Sequence, residues 1–127
     1  MINSFKPHRK LRVEWVSDEI GWGVFTEEPI FSGETVEYCY GLLDNIHTSP
    51  YRDYVFQPDK LSTDVYHLLG YGAIYNHSDN SNIGYRLIDK ERRIVEFFAL
   101  RDIDVEEELR HNYGKGYWES RKKKQLI

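Results

Sequence analysis

A chain of 127 residues has room for one hydrophobic core and not for two. Apolar residues at 40%, with ten tyrosines among the aromatics, exclude a disordered polar tail, and a net charge of -4 without a long basic stripe argues against a nucleic-acid backbone as the main partner. A single cysteine, Cys39, excludes an internal disulfide, and without a Cys-x-x-Cys or paired-His motif no metal site can be read.

Residues 1–10 carry no apolar run resembling a signal peptide, and no segment approaches membrane-spanning length. The expectation is a soluble protein of a reducing, intracellular compartment. Residues 11–15 alternate apolar with polar, as a strand with one buried face does, until Ser17-Asp18-Glu19 interrupts. Gly21-Trp22-Gly23 then sets two glycines around a bulky residue where a loop enters the strand Val24-Phe25-Thr26. Pro29 and Ser32-Gly33 mark a turn, and residues 34–40 read as a strand with Val36 and Tyr38 on one side and Glu37 and Cys39 on the other. Residues 44–64 are polar and turn-rich, an irregular insert around the short apolar run Tyr54-Val55-Phe56. Residues 85–88 and 94–98 predict a hairpin across a charged turn, and residues 117–126 are rich in helix formers. Arg121-Lys122-Lys123-Lys124 reads as a solvated basic end. Short strands with long connections give a mostly β fold in a single domain, its core over residues 11–118 and a basic tail over 119–127.

Three clusters stand apart from ordinary strand and turn material. They are Gly21-Trp22-Gly23, the run from Gly70 to Ser78, and Glu106-Glu107-Glu108-Leu109 through Asn112-Tyr113-Gly114. Asn76-His77-Ser78 fits a glycosylation acceptor, a reading that fails without a secretory signal. Asn and His directly after Ala73-Ile74-Tyr75 carry more information, because polar groups entering a core must find partners for every donor and acceptor. A lone histidine is usually structural, so His77 reads as an organiser, and Glu106 and Glu107 read as a solvated turn.

In order and spacing the three clusters together resemble the SET domain of protein lysine methyltransferases, over about residues 13–118. The resemblance is closest to the minimal stand-alone members of large DNA viruses and some bacteria, with Asn82 and Tyr117-Trp118 extending it. It implies short β-sheets around a C-terminal pseudoknot, a β-clip-like fold with few short helices. It also implies S-adenosylmethionine as methyl donor, S-adenosylhomocysteine as product and no metal. The substrate it implies is a lysine in a basic protein tail, histone H3 first and lysine 27 as in the viral relatives. The location is then the nucleus, or the cytoplasm for another substrate.

The same resemblance assigns roles to residues. Gly21, Trp22, Gly23, Tyr75, Asn76, His77, Tyr113 and Trp118 would hold the cofactor. Asn76 would bond its methionine part, and Trp22 would contribute mainly main chain. Tyr113 matches the catalytic tyrosine, with Tyr54 beside it at the methyl-transfer centre, and Tyr54, Tyr71, Tyr85, His111 and Tyr117 would line the lysine channel. His111 and Asn112 depart from the apolar and small or acidic residues common before the tyrosine. If His111 faces the channel it affects how many methyl groups fit, or proton removal; a hydrogen-bonded core histidine is the simpler reading. Without flanking zinc clusters the domain would contact substrate alone, and a homodimer would complete its groove. The competing class is a non-enzymatic SET-like module that binds lysine-containing peptides without turnover.

Overall fold

The computed structural model describes residues 4–6, 9–47, 55–58 and 62–113. Among them are eight strands and no helix: β1 (Leu11–Ser17), β2 (Gly21–Thr26), β3 (Thr35–Asn45), β4 (Asp64–Leu68), β5 (Asn76–His77), β6 (Ile83–Asp89), β7 (Ile94–Ala99) and β8 (Glu108–His111). The expected C-terminal helix and basic tail lie outside the described residues, as do Tyr54, Tyr117 and Trp118. The mostly β expectation holds for the described part.

The strands form two four-stranded sheets, ordered β1-β2-β8-β5 and β4-β3-β7-β6. In the first, β1 and β2 pair antiparallel with Trp15 opposite Trp22, matching the alternation read at residues 11–15. In the second, β6 and β7 form the expected hairpin, longer by a residue or two at most ends, across a turn where Arg93 takes φ 59°. β3 runs on to Asn45 and pairs with β4, so both ends of the presumed insert are strand. A register shift between Thr35 and Glu37 explains the ambiguous faces of β3, because it turns Val36 and Glu37 both inward.

Val24 and Leu109 from the first sheet pack with Val36, Cys39, Ile83, Val95 and Phe97 from the second, and Ile30 and Ile103 join them through a reciprocal backbone pair. Cys39 is free and fully buried, as its sequence context suggested. Burial alone costs any unpaired carboxylate, so the buried Glu96 is tied on both sides, by the Arg86 Nε at 2.5 Å and by the Thr35 hydroxyl.

β8 positions the site. Its sequence Glu-Leu-Arg-His has little strand preference, and neighbours on both edges make it a strand: β2 antiparallel on one side and β5 parallel on the other. Asn82 secures it. Its Nδ2 donates to the Glu108 carbonyl at 2.8 Å, its Oδ1 accepts from the Arg110 N–H at 2.9 Å, and its own N–H donates to the Arg110 carbonyl at 3.1 Å. Asn82→Ala strands two main-chain groups beside a side chain only 4% exposed, and a loss of about 2–4 kcal/mol is expected. Urea denaturation of the two proteins checks it; equal midpoints would contradict the clamp.

Candidate active site

The parallel pairing of β5 with β8 sets Asn76 opposite Arg110 and His77 opposite His111. The chain then turns back so that the Tyr113 N–H donates to His77 Nδ1 at 3.0 Å and the Tyr113 hydroxyl donates to the Tyr75 carbonyl at 2.5 Å. Residues 36 and 38 positions apart thereby meet at one place. His77, 5% exposed, bonds through its other ring nitrogen to Asp79 at 2.9 Å, so both ring nitrogens organise the fold, as expected of a structural histidine.

Tyr75 is almost fully buried, and its hydroxyl donates to Glu37 Oε1 at 2.5 Å. Burial, reinforced by the Glu37 carboxylate, pushes the Tyr75 phenol well above its ordinary range, so it stays a donor. Glu37 also accepts from the Tyr71 N–H, and burial together with Glu37 pushes the Cys39 thiol up. Glu37 on β3 thus anchors the segment that carries Tyr71 and Tyr75.

Next to Tyr113, an aromatic cluster centres on His111. His111 sits 4.9 Å from the Tyr113 ring, 5.4 Å from Tyr85, 5.6 Å from Phe97 and 6.4 Å from Tyr75, edge-on to Tyr85 and Tyr75. Tyr85 remains 42% exposed and rests edge-on against Phe56. Of the expected channel residues, Tyr85 and His111 are therefore in ring contact and His111 also contacts Tyr113, while Tyr71 packs against the core with its N–H on Glu37. His111 is packed like a core residue, yet its buried Nδ1 has no hydrogen-bond partner among the described residues.

Burial pushes His111 down from 6.5 to about 4; the Asn112 main chain opposes this and nearby His77 adds to it. The unfolded chain therefore binds a proton before the folded one does. Stability is independent of this group above about pH 6.5 and falls as the pH drops from there towards 4, by at most about 3 kcal/mol. His111→Gln should lose that part of the slope in urea titrations between pH 7 and pH 4.5, and identical slopes would contradict it.

The two glycines near the N-terminus differ in purpose. Gly21 takes φ +86°, and a Cβ built there would meet nothing within 4 Å, so its backbone faces open space. At Gly23 a Cβ would lie 2.5 Å from Glu108 Oε2, 2.8 Å from Val16 and 3.1 Å from Asn76 Nδ2. Protein fills that space. Trp22, 56% exposed, stacks edge-on against Trp15 at 5.3 Å, and its carbonyl accepts from Asn76 Nδ2 at 3.1 Å.

Glu108 was not apparent from the sequence as a site residue. Its Oε2 accepts from Asn76 Nδ2 at 2.7 Å and its Oε1 from Arg110 Nε and Nη2 at 2.9 and 2.6 Å. The available signal was period two: in a strand, Glu108 and Arg110 share the face opposite the apolar Leu109. Glu106 and Glu107 do lie on a turn, Glu106 exposed and bonded by Arg12 at 2.8 Å.

Residues 21–114 match the family model for the SET domain, a span that includes Gly21, Asn76, His77, Glu108 and Tyr113. The chain belongs to the SET-domain family. A solved structure of a candidate histone methyltransferase from Plasmodium falciparum is 27% identical, with a TM-score of 0.69 over 87% of this chain and 97% of that chain. A humanised mutant of Polycomb Repressive Complex 2 from Chaetomium thermophilum, bound to the inhibitor GSK126, matches with a TM-score of 0.67 at 24% identity. That likeness covers 84% of this chain and 15% of the other, and it shows the fold alone. No curated protein sequence matches. Family membership supports a protein lysine methyltransferase in general terms.

Proposed function

We propose that this SET domain transfers a methyl group from S-adenosylmethionine to a lysine in a basic protein tail, with the histone H3 tail as the leading substrate and lysine 27 its leading position. The observation that carries the reading is the double attachment of Tyr113, its N–H to His77 and its hydroxyl to the Tyr75 carbonyl, beside Asn76 on the same parallel pair. The residues present suit this cofactor. Gly21 offers backbone facing open space, and Asn76 offers an acceptor: its nitrogen is committed to two protein oxygens, so its Oδ1 is left for an ammonium donor. Bound there, S-adenosylmethionine supplies an electrophilic methyl group and a positive sulfur.

The protein's task is alignment and the handling of one proton. An acceptor lysine with an ordinary pKa of about 10.4 costs roughly 4–5 kcal/mol to deprotonate at neutral pH. Walls made by Tyr85, His111, Phe97 and Tyr113 lower that cost by disfavouring the charged form, and His111 stays neutral above its depressed pKa of about 4. Tyr113 keeps its proton on the Tyr75 carbonyl, which leaves its oxygen lone pairs to orient the amine and to hold the polarised methyl through weak C–H···O contacts. Tyr54, Tyr117 and Trp118 complete the channel and the cofactor side in this reading.

Incubation with methyl-labelled S-adenosylmethionine and a panel of core histones, H3 tail peptides and basic ribosomal proteins tests it. The expected result is label on an H3 lysine, mapped by mass spectrometry. Label confined to another basic protein would retain the reaction and replace the substrate. Cofactor binding without transfer to any of them would instead favour a peptide-binding module.

A further inference from the structure

We infer that Glu108 is a positioning residue that fixes which face of the Asn76 amide meets the cofactor. The inference rests on the functional reading above, in which Asn76 accepts from the cofactor's ammonium group. An asparagine amide has a donor end and an acceptor end of nearly the same shape, so its orientation is set by neighbours alone. Two neighbours lie at one end of the Asn76 amide, the Trp22 carbonyl at 3.1 Å and Glu108 Oε2 at 2.7 Å, and both are acceptors. The nitrogen must face them. The oxygen therefore points away, with no hydrogen bond from the described residues.

Glu108 is held for this task. Its side chain is 6% exposed, its Oε1 takes two bonds from Arg110, and its carbonyl is fixed by Asn82. The missing Cβ of Gly23 makes the room that Oε2 occupies, so the second glycine of Gly21-Trp22-Gly23 serves Glu108. A glutamine at 108 could present an NH2 group to Asn76, which would let the amide turn its donor end outward. An ammonium ligand would then face a donor where it needs an acceptor.

The test compares S-adenosylhomocysteine with its deamino analogue, which lacks only the amino group, by calorimetry and competition on the intact chain. The wild type should bind the analogue roughly tenfold more weakly, the value of one hydrogen bond to a charged group. Glu108→Gln should bind S-adenosylhomocysteine about tenfold more weakly than the wild type and bind the analogue with unchanged affinity. Glu108→Asp, which presents no donor but is one methylene short of Asn76, leaves the amide to the Trp22 carbonyl alone; it should show a smaller loss, again confined to S-adenosylhomocysteine, and serves if the glutamine variant does not fold. Equal losses for both ligands, or no loss for either, would overturn the assignment. A wild type that binds neither ligand would remove the cofactor reading itself.

Discussion

Tyr113→Phe should slow methyl transfer by about 100-fold or more while leaving cofactor affinity within about threefold. The phenylalanine keeps the ring contacts with His77 at 5.3 Å and His111 at 4.9 Å and keeps the main-chain bond to His77 Nδ1. What disappears is the hydroxyl on the Tyr75 carbonyl. Losing that bond costs stability about 1–2 kcal/mol, too little to unfold a typical domain. The rate carries the larger signal, because the hydroxyl is assigned to the reacting atoms and the ring only to packing. Single-turnover rates with saturating cofactor separate the two effects, and an unchanged rate would take Tyr113 out of the mechanism.

Gly23→Ala should be the more damaging of the two glycine substitutions, although Gly21 has the more unusual backbone. The Cβ at position 23 would stand 2.5 Å from Glu108 Oε2 and 2.8 Å from a Val16 methyl. Glu108 cannot simply swing away without giving up Arg110 and Asn76. Overpacking of this kind costs about 1–3 kcal/mol, and the displaced carboxylate should also weaken cofactor binding about tenfold or more. At Gly21 the added Cβ meets open space, so the cost is the left-handed φ alone, about 1 kcal/mol. Urea midpoints and calorimetric titration of both variants measure this, and a Gly21→Ala protein that is the less stable would contradict the assignment of the Gly23 space to Glu108.

The parts of the fold that could be read from the chain are those whose local pattern agrees with their surroundings. β1 alternates and buries the Leu11 end of its apolar face, with Val13 half-buried and Trp15 exposed, and the β6-β7 hairpin announces itself through apolar runs around a charged turn. β8 and β5 carry no such pattern. Glu108, Arg110 and His111 are strand residues because β2, β5 and Asn82 supply partners from elsewhere in the chain, and no window of sequence contains those partners. β4 was hidden differently, as five residues that begin where the polar stretch ends and become strand through pairing with the far half of β3.

The site followed the same division. Asn76, His77 and Tyr113 stand out through a motif, and the structure ties Tyr113 by hydrogen bonds to His77 and Tyr75, the neighbours of Asn76 in the chain. Glu108 was lost in an acidic run because its neighbours Glu106 and Glu107 are turn residues, and only the strand register separates it from them. Likewise the purpose of Gly23 depends on a carboxylate 85 positions later in the chain, which is a statement about topology.

The central claim is that one cleft, lined by Gly21, Asn76 and Tyr113, receives the methyl donor. Titration of the nitrogen-15-labelled protein with S-adenosylhomocysteine tests it most directly, through the main-chain amide signals. A saturable response largest at residues 21–23, 75–77 and 111–113 is expected; shifts gathered on another face, or none at millimolar ligand, would rule out a cofactor cleft there.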